Sequence, residues 1–157
     1  MNVSGKSFRE HIDLLIPFFG LISAVFALRL TFDFLGAPSW LIGLCSVTVV
    51  LAVAVLLGTA LIHAQRFGGY ANVIFASLLL ITFGQLLILF AVVFSSLTGI
   101  ENIYSIAEFS PAVEDPNQFI HICSHLVGIP LLGLIGGLMG CILLWTLRLI
   151  LPTDLSG

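Results

Sequence analysis

Residues 40–62 read WLIGLCSVTVVLAVAVLLGTALI and contain no charged side chain. A helix needs about 20 consecutive apolar residues to cross the hydrocarbon core of a bilayer, and this run is long enough. It is also too long for a buried strand of a globular protein. The stretch therefore predicts a transmembrane helix, with Trp40 at the membrane interface.

Three further runs have the same character, so the chain is predicted to cross the membrane four times. Of the 157 residues, 59% are hydrophobic and only 8% are charged, whereas about a quarter of the residues of a soluble domain are charged. The five Lys and Arg residues are scattered along the chain, which argues against a nucleic-acid-binding groove. The sequence predicts an all-α integral membrane protein, a four-transmembrane-helix bundle whose first partner is the lipid bilayer. The predicted spans are 12–35, 40–62, 70–97 and 120–150, within a single membrane domain of residues 1–157.

Short polar or glycine-containing segments mark the ends of these helices. Ser7 and Glu10 have the S-x-x-E spacing of a capping box, which predicts a helix start. Residues 36–38, Gly-Ala-Pro, form a very short turn after the first span, and Thr98 with Gly99 is a typical helix stop. The first turns of the last helix are expected to stand above the bilayer, because its apolar run exceeds the length needed to cross.

The segment 98–119 is the one predicted loop of substantial length. It is acidic and contains no Lys or Arg. Its apolar residues recur at helical spacing, which predicts a short amphipathic helix on the membrane surface. The apolar positions are Ile100, Ile103, Tyr104 and Ala107, and the polar ones are Glu101, Ser105 and Glu108.

The basic residues indicate the orientation. Lys6 and Arg9 precede the first span, Arg66 lies between the second and third, and Arg148 ends the fourth. With four spans these positions share one side of the membrane, and Lys and Arg of short loops concentrate on the cytoplasmic side. Both termini are therefore predicted to be cytoplasmic and the loop 98–119 extracytoplasmic. The compact loops are typical of a bacterial inner (plasma) membrane protein.

The sharpest candidate site is HICSH at residues 121–125. His121 and His125 are four residues apart, so they project from the same face of a helix, as the ligands of a metal ion or haem would. Two histidines do not complete a metal or haem site. The alternative is that they are ordinary polar residues at the water-exposed end of a helix. The sequence leaves the identity of any cofactor open.

A second polar pair, Arg29 and Asp33, lies one helical turn apart near the end of the first span. Charge inside a membrane commonly marks a functional site, although Arg29 can also extend along its helix to Asp33 and the lipid headgroups. Both pairs are predicted near the extracytoplasmic side. We expect Arg29, Asp33, His121 and His125 to converge in a polar pocket on the outer face, which the acidic loop could close.

Gln85 lies near the middle of the third span. An unpaired amide is costly at that depth, so we expect its side chain to bond to another helix. Ser46 and Thr48 of the second span are candidate partners.

The fourth span carries a stripe of glycines in the sequence GLIGGLMG at residues 133–140. Gly133 with Gly137, and Gly136 with Gly140, form two overlapping G-x-x-x-G patterns, which allow another helix backbone to approach closely. We expect this face to pack inside the bundle. It is also the candidate surface for a homo-oligomer or a membrane-protein partner.

Three classes of function remain open. A non-enzymatic accessory, scaffold or assembly subunit is favoured, because the chain contains no nucleotide-binding loop and no hydrolase or metalloprotease motif. A metal- or haem-binding redox protein would use His121 and His125. A small transporter or channel component would need polar residues at depth on several helices, and Gln85 is the main candidate for one.

Overall fold

The computed structural model describes residues 2–105 and 119–151, and its long elements are helices. Four of the helical segments are long and apolar enough to cross a membrane, which confirms the predicted all-α, four-span bundle. The helices are α1 (Phe8–Phe34), α2 (Ser39–Leu44), α3 (Val47–Ala64), α4 (Tyr70–Thr98) and α5 (Phe119–Ile150).

A small hairpin precedes α1 and was not predicted. Strands β1 (Asn2–Val3) and β2 (Lys6–Ser7) pair antiparallel. The connecting residues Ser4 and Gly5 have φ of 50° and 86°, the positive values that a two-residue hairpin turn requires. The hairpin leads into the predicted capping box, which is present: Glu10 N–H donates to Ser7 Oγ at 3.2 Å, and Ser7 N–H donates to the Glu10 carboxylate at 2.7 Å.

The second span is interrupted between α2 and α3, whereas the sequence predicted one continuous helix. Cys45 leaves the helical conformation with ψ of 45°. Ser46 Oγ accepts a hydrogen bond from Val49 N–H at 3.4 Å and caps α3. A serine that satisfies backbone donors in this way competes with continuation of the helix, which explains the break.

The predicted stop after α4 is present, but the amphipathic loop helix is not confirmed. Gly99 has φ of 71°, and its N–H donates to the Ser95 carbonyl at 2.8 Å. The described part of the following segment, residues 100–105, contains a turn and no helix. Ala107 and Glu108 lie outside the described residues.

Helix α4 lies at the centre of the bundle. It packs against α1, α3 and α5, and α3 also contacts α1 and α5, whereas α1 and α5 are not a major packing pair. Sites between α1 and α4 and between α4 and α5 are therefore built on different interfaces.

One end of the bundle, here called the basic end, carries Lys6, Arg9, Arg66 and Arg148. Lys6 Nζ lies 5.0 Å from the centroid of the Phe67 ring, and Arg148 donates to the Gly68 carbonyl at 3.4 Å. The ends of α1 and α5 thus meet the turn between α3 and α4. Asp33 and residues 99–105 lie at the opposite end.

Candidate functional site

Each pair of the predicted pocket contacts a different part of the chain. Arg29 and Asp33, on α1, contact the segment that follows α4. His121 and His125, on α5, contact each other and α4. Convergence of all four side chains in one pocket therefore stays a prediction, whereas the two separate polar groups are defined in detail.

The first polar group fixes the start of the loop against α1. The Asp33 carboxylate accepts a hydrogen bond from Ile103 N–H at 2.8 Å. The Arg29 guanidinium lies 5.2 Å from the centroid of the Tyr104 ring, and Phe26 stacks on the same ring at 5.0 Å. Burial raises the pKa of the Tyr104 phenol above its ordinary value, although the charge of Arg29 opposes this. This arrangement suits a structural clamp.

Asn102, which sequence reasoning missed, shapes the turn in this group. Its Nδ2 donates to the Ala91 carbonyl and its Oδ1 accepts from Tyr104 N–H, both at 3.0 Å. Its own N–H donates to Ser105 Oγ at 3.0 Å. An asparagine that bonds its own neighbouring backbone favours a turn over a helix, which explains the conformation of residues 102–105.

The second polar group joins α4 and α5. His125 Nδ1 lies 2.7 Å from Gln85 Oε1, and His125 Nε2 lies 2.9 Å from His121 Nε2. Gln85 is 6% exposed, and the two imidazoles are half-buried. The interhelical role expected for Gln85 is present, but its partner is His125 rather than Ser46 or Thr48.

With Gln85 Oε1 facing the His125 ring, the hydrogens of the two rings follow. An amide oxygen only accepts, so His125 Nδ1 carries a hydrogen and donates it to Gln85. His125 Nε2 is then a lone-pair acceptor, and His121 Nε2 donates to it. Gln85 thereby fixes the tautomer of His125 and directs its free lone pair towards His121.

The histidine pair lies deeper in the bundle than expected. Gln85 is at the middle of α4, about 22 Å from Tyr70 at roughly 1.5 Å per residue. Because α5 runs antiparallel to α4, with Cys141 Sγ 4.0 Å from the Tyr70 carbonyl, His125 is level with Gln85. This part of α5 therefore belongs to the helix packing and does not project beyond it.

His121 and His125 are the side chains that could hold a metal ion. Within residues 2–105 and 119–151, no group of three or more His, Cys, Asp or Glu side chains is placed to surround one. The two Nε2 atoms cannot be the opposite axial ligands of one haem, because they are 2.9 Å apart whereas two opposed bonds of about 2 Å would separate them by about 4 Å.

The glycine stripe of α5 packs inside the bundle. A Cβ on Gly140 would lie 2.6 Å from Val73 Cγ1 and 2.8 Å from Thr59 Oγ1, and one on Gly136 would lie 2.7 Å from Ile81 Cδ1. A Cβ on Gly133 would likewise overlap the Leu78 side chain of α4, whereas one on Gly137 would be in ordinary contact with Ile74, at 3.4–3.5 Å. Because α3 and α4 cover this face, a partner that binds through span four has to use the opposite face of α5.

A further polar cluster at the basic end was missed by sequence reasoning. His11 and Asn72 are both fully buried, and His11 Nδ1 lies 2.8 Å from the Ser7 carbonyl. The amide orientation that satisfies every partner lets Asn72 Nδ2 donate to His11 Nε2 at 3.0 Å and to the Val3 carbonyl at 2.9 Å. Asn72 Oδ1 then accepts from Gly69 N–H at 3.2 Å.

This cluster ties the hairpin, α1 and α4 together, and two phenylalanine rings enclose it. The rings of Phe67 and Phe75 are nearly perpendicular to the His11 imidazole, with centroids 5.0 and 4.9 Å from it. In the sequence, His11 and Asn72 are each a polar residue at the start of an apolar run. Nothing in the sequence paired those two positions.

Comparison of the chain with protein-family models, with curated proteins and with solved structures finds no match.

Proposed function

We propose that this chain is a non-enzymatic accessory, scaffold or assembly subunit of a membrane complex. The observation that carries the proposal is that six buried polar side chains bond within the chain itself. Gln85 bonds to His125, His11 bonds to Asn72, and Asn102 bonds to the Ala91 carbonyl. Thr59 and Ser77 donate to carbonyls of their own helices at 2.8 Å. The pairs between elements hold the bundle together, the two hydroxyls are satisfied within their own helices, and none of these groups is left without a hydrogen-bond partner for a substrate to satisfy.

The outward faces of the peripheral helices supply the surfaces for such a role. Leu134 and Leu138 of α5 are 68% and 63% exposed, and Leu28 of α1 is 47% exposed. These apolar faces suit either lipid or another transmembrane helix. We place the partner on the outward face of α5, because its glycine face is already covered by α3 and α4.

The proposed setting is a bacterial inner membrane with both termini in the cytoplasm. The basic end supports this orientation, since it collects four of the five Lys and Arg residues of the sequence and such residues favour the cytoplasmic side.

Transport and redox chemistry are the alternatives. A transport path needs polar groups that face it, and Gln85, at the middle of α4, is bonded to His125. A redox centre needs a complete ligand set, and His121 with His125 supplies half of the four ligands that a tetrahedral metal site takes. Neither alternative explains why the buried polar groups bond to one another.

Site-specific photo-crosslinking in native membranes tests the proposal. A photoreactive residue is placed at Leu134 or Leu138 on α5, and in matched variants at Leu21 or Leu28 on α1, with the protein expressed at its natural level. We expect one discrete crosslinked product from the α5 positions, either with a copy of this chain or with one other membrane protein that co-purifies at fixed stoichiometry.

Products from the α1 positions alone would keep the accessory role but place the interface on α1. Crosslinks to lipid alone from all four positions, with a monomer after mild solubilisation, would overturn the proposal.

A further inference from the structure

His121 and His125 present two imidazole nitrogens to one point. Their Nε2 atoms are 2.9 Å apart, and the rings stack with centroids 4.9 Å apart at 28°. We infer that these two histidines chelate a divalent transition-metal ion through their Nε2 atoms, and that Gln85 is the positioning residue that orients His125. This inference goes beyond the proposed accessory function and does not depend on it.

Binding of the ion requires no net release of a proton. Without metal, the hydrogen on His121 Nε2 lies between the two rings. When the ion takes its place, that hydrogen moves to His121 Nδ1, and both Nε2 lone pairs become ligands. His125 keeps its Nδ1 hydrogen on Gln85 throughout, so only one ring changes tautomer.

The separation of the two nitrogens, 2.9 Å, is within reach of two metal–nitrogen bonds of about 2.0–2.1 Å to one ion. Imidazole suits Cu²⁺, Ni²⁺ and Zn²⁺, and the general order of affinity among these ions favours Cu²⁺. Imidazole nitrogen also disfavours Mg²⁺ and Ca²⁺, which prefer oxygen ligands. Both rings are only half-buried, which leaves room beside them for further ligands of the ion.

Gln85 supplies the outer contact that histidine ligands of metals usually have. A ligating histidine donates its other ring N–H to an acceptor, which fixes the ring and its tautomer, and loss of that acceptor typically weakens metal binding about 10–100-fold. Gln85 Oε1 is this acceptor, at 2.7 Å from His125 Nδ1. The amide is itself held by burial in the α4–α5 interface.

The test uses the full-length protein in detergent, stripped with a chelator and titrated with CuSO₄, NiCl₂ or ZnCl₂ alone. Calorimetry measures the affinity, and electron paramagnetic resonance of the Cu²⁺ sample counts the nitrogen ligands. We expect one ion per chain, with two imidazole nitrogens on Cu²⁺ and weaker binding of Zn²⁺ than of Cu²⁺. The wild-type spectrum decides the ligand set even if a variant fails to fold.

Variants separate ligands from the positioning residue. His121→Ala and His125→Ala should each lose the two-nitrogen spectrum, whereas His63→Ala, a control in the last turn of α3, should leave it unchanged. Gln85→Leu should lower the affinity about 10–100-fold, and Gln85→Glu, which still accepts from His125 Nδ1, should restore it. A merely structural Gln85 would not give this rescue.

The inference is wrong if the wild-type protein binds no stoichiometric Cu²⁺, if the spectrum contains no imidazole nitrogen, or if the His121→Ala, His125→Ala double variant binds as the wild type does. The short separation of the rings is then only the hydrogen bond between them.

Discussion

Two histidines bond to side-chain amides of α4, and these pairs connect different parts of the chain. His125 meets Gln85 at the α4–α5 interface, and His11 meets Asn72 at the basic end. A buried polar group without a partner costs about 1–3 kcal/mol, more than the bond itself contributes. Each pair therefore restricts how its helices can pack as well as adding stability.

The Gln85–His125 bond should be measurable as a coupling free energy. Gln85→Leu removes the acceptor at similar volume, and His125→Leu removes the donor. Polar contacts between membrane helices average about 0.6 kcal/mol and reach about 1.7 kcal/mol, so we expect a coupling in that range. The measurement is reversible unfolding of both single variants and of the double variant. Additive effects, with no coupling, would show that the bond does not stabilise the interface.

Asn72→Leu should destabilise the basic end and release the hairpin. The substitution removes the partner of His11 Nε2, of the Val3 carbonyl and of Gly69 N–H. We expect a loss of about 1–3 kcal/mol in the free energy of unfolding and faster amide exchange at residues 2–7, measured by hydrogen–deuterium exchange. Gln65→Ala, at an exposed amide in the neighbouring turn, is the control and should change neither. Unchanged exchange at residues 2–7 in Asn72→Leu would mean that other contacts hold the hairpin.

At the scale of the elements, the position of α5 depends on its glycines. They let its backbone approach α4 and α3 so closely that an added Cβ would overlap side chains of Val73, Thr59 and Ile81. On the same interface His125 lies opposite Gln85. The glycine stripe thus lets α5 come close enough to α4 for this contact, although it contributes no polar atom.

Gly140→Ala should separate α5 from its neighbours. The new methyl group would meet the branched, stiff side chain of Val73 and the Thr59 hydroxyl, and overpacking of this kind costs about 1–3 kcal/mol. Gly128→Ala is the matched control on the same helix, because its nearest new contact would be Leu132 at 3.9 Å. We expect the control to be neutral or slightly stabilising, since alanine favours helices. Thermal unfolding in detergent compares the two, and equal midpoints would contradict the close packing.

At the scale of the whole molecule, the two ends of the bundle differ in charge. Four of the five Lys and Arg residues lie at the basic end, and the fifth, Arg29, lies one turn from Asp33 towards the opposite end. This bias in the placement of Lys and Arg, rather than net charge, is what orients a membrane protein during insertion.

Thiol labelling in intact cells tests the orientation. In a background with Cys45, Cys123 and Cys141 replaced by Ala, a membrane-impermeant maleimide should label Glu101→Cys directly. Gln65→Cys, at the basic end, should be labelled only after lysis. The reverse pattern would invert the predicted orientation, and labelling of both from outside would contradict the single span, α4, that separates Gln65 from Glu101.

Much of the fold followed from local sequence. The apolar runs, the capping box at Ser7 and Glu10, and the stop at Gly99 are each set by residues close together in the chain, because helix formation and capping involve neighbours within about a turn. The break at Cys45 and Ser46 was missed although its signal is local, because a single serine within an apolar run usually bonds back to its own helix.

The sequence by itself determined that this protein crosses the membrane four times and which of its residues are polar at depth. The tertiary structure alone decided their partners: Gln85 with His125, His11 with Asn72, and Asp33 with Ile103 N–H. The physical reason is that hydropathy and capping determine where a helix begins and ends along the chain. They do not determine its rotation about its own axis or its axial position relative to the other helices. Those two variables are set by side-chain packing across interfaces, here above all by the close approach of the α5 glycines to α4.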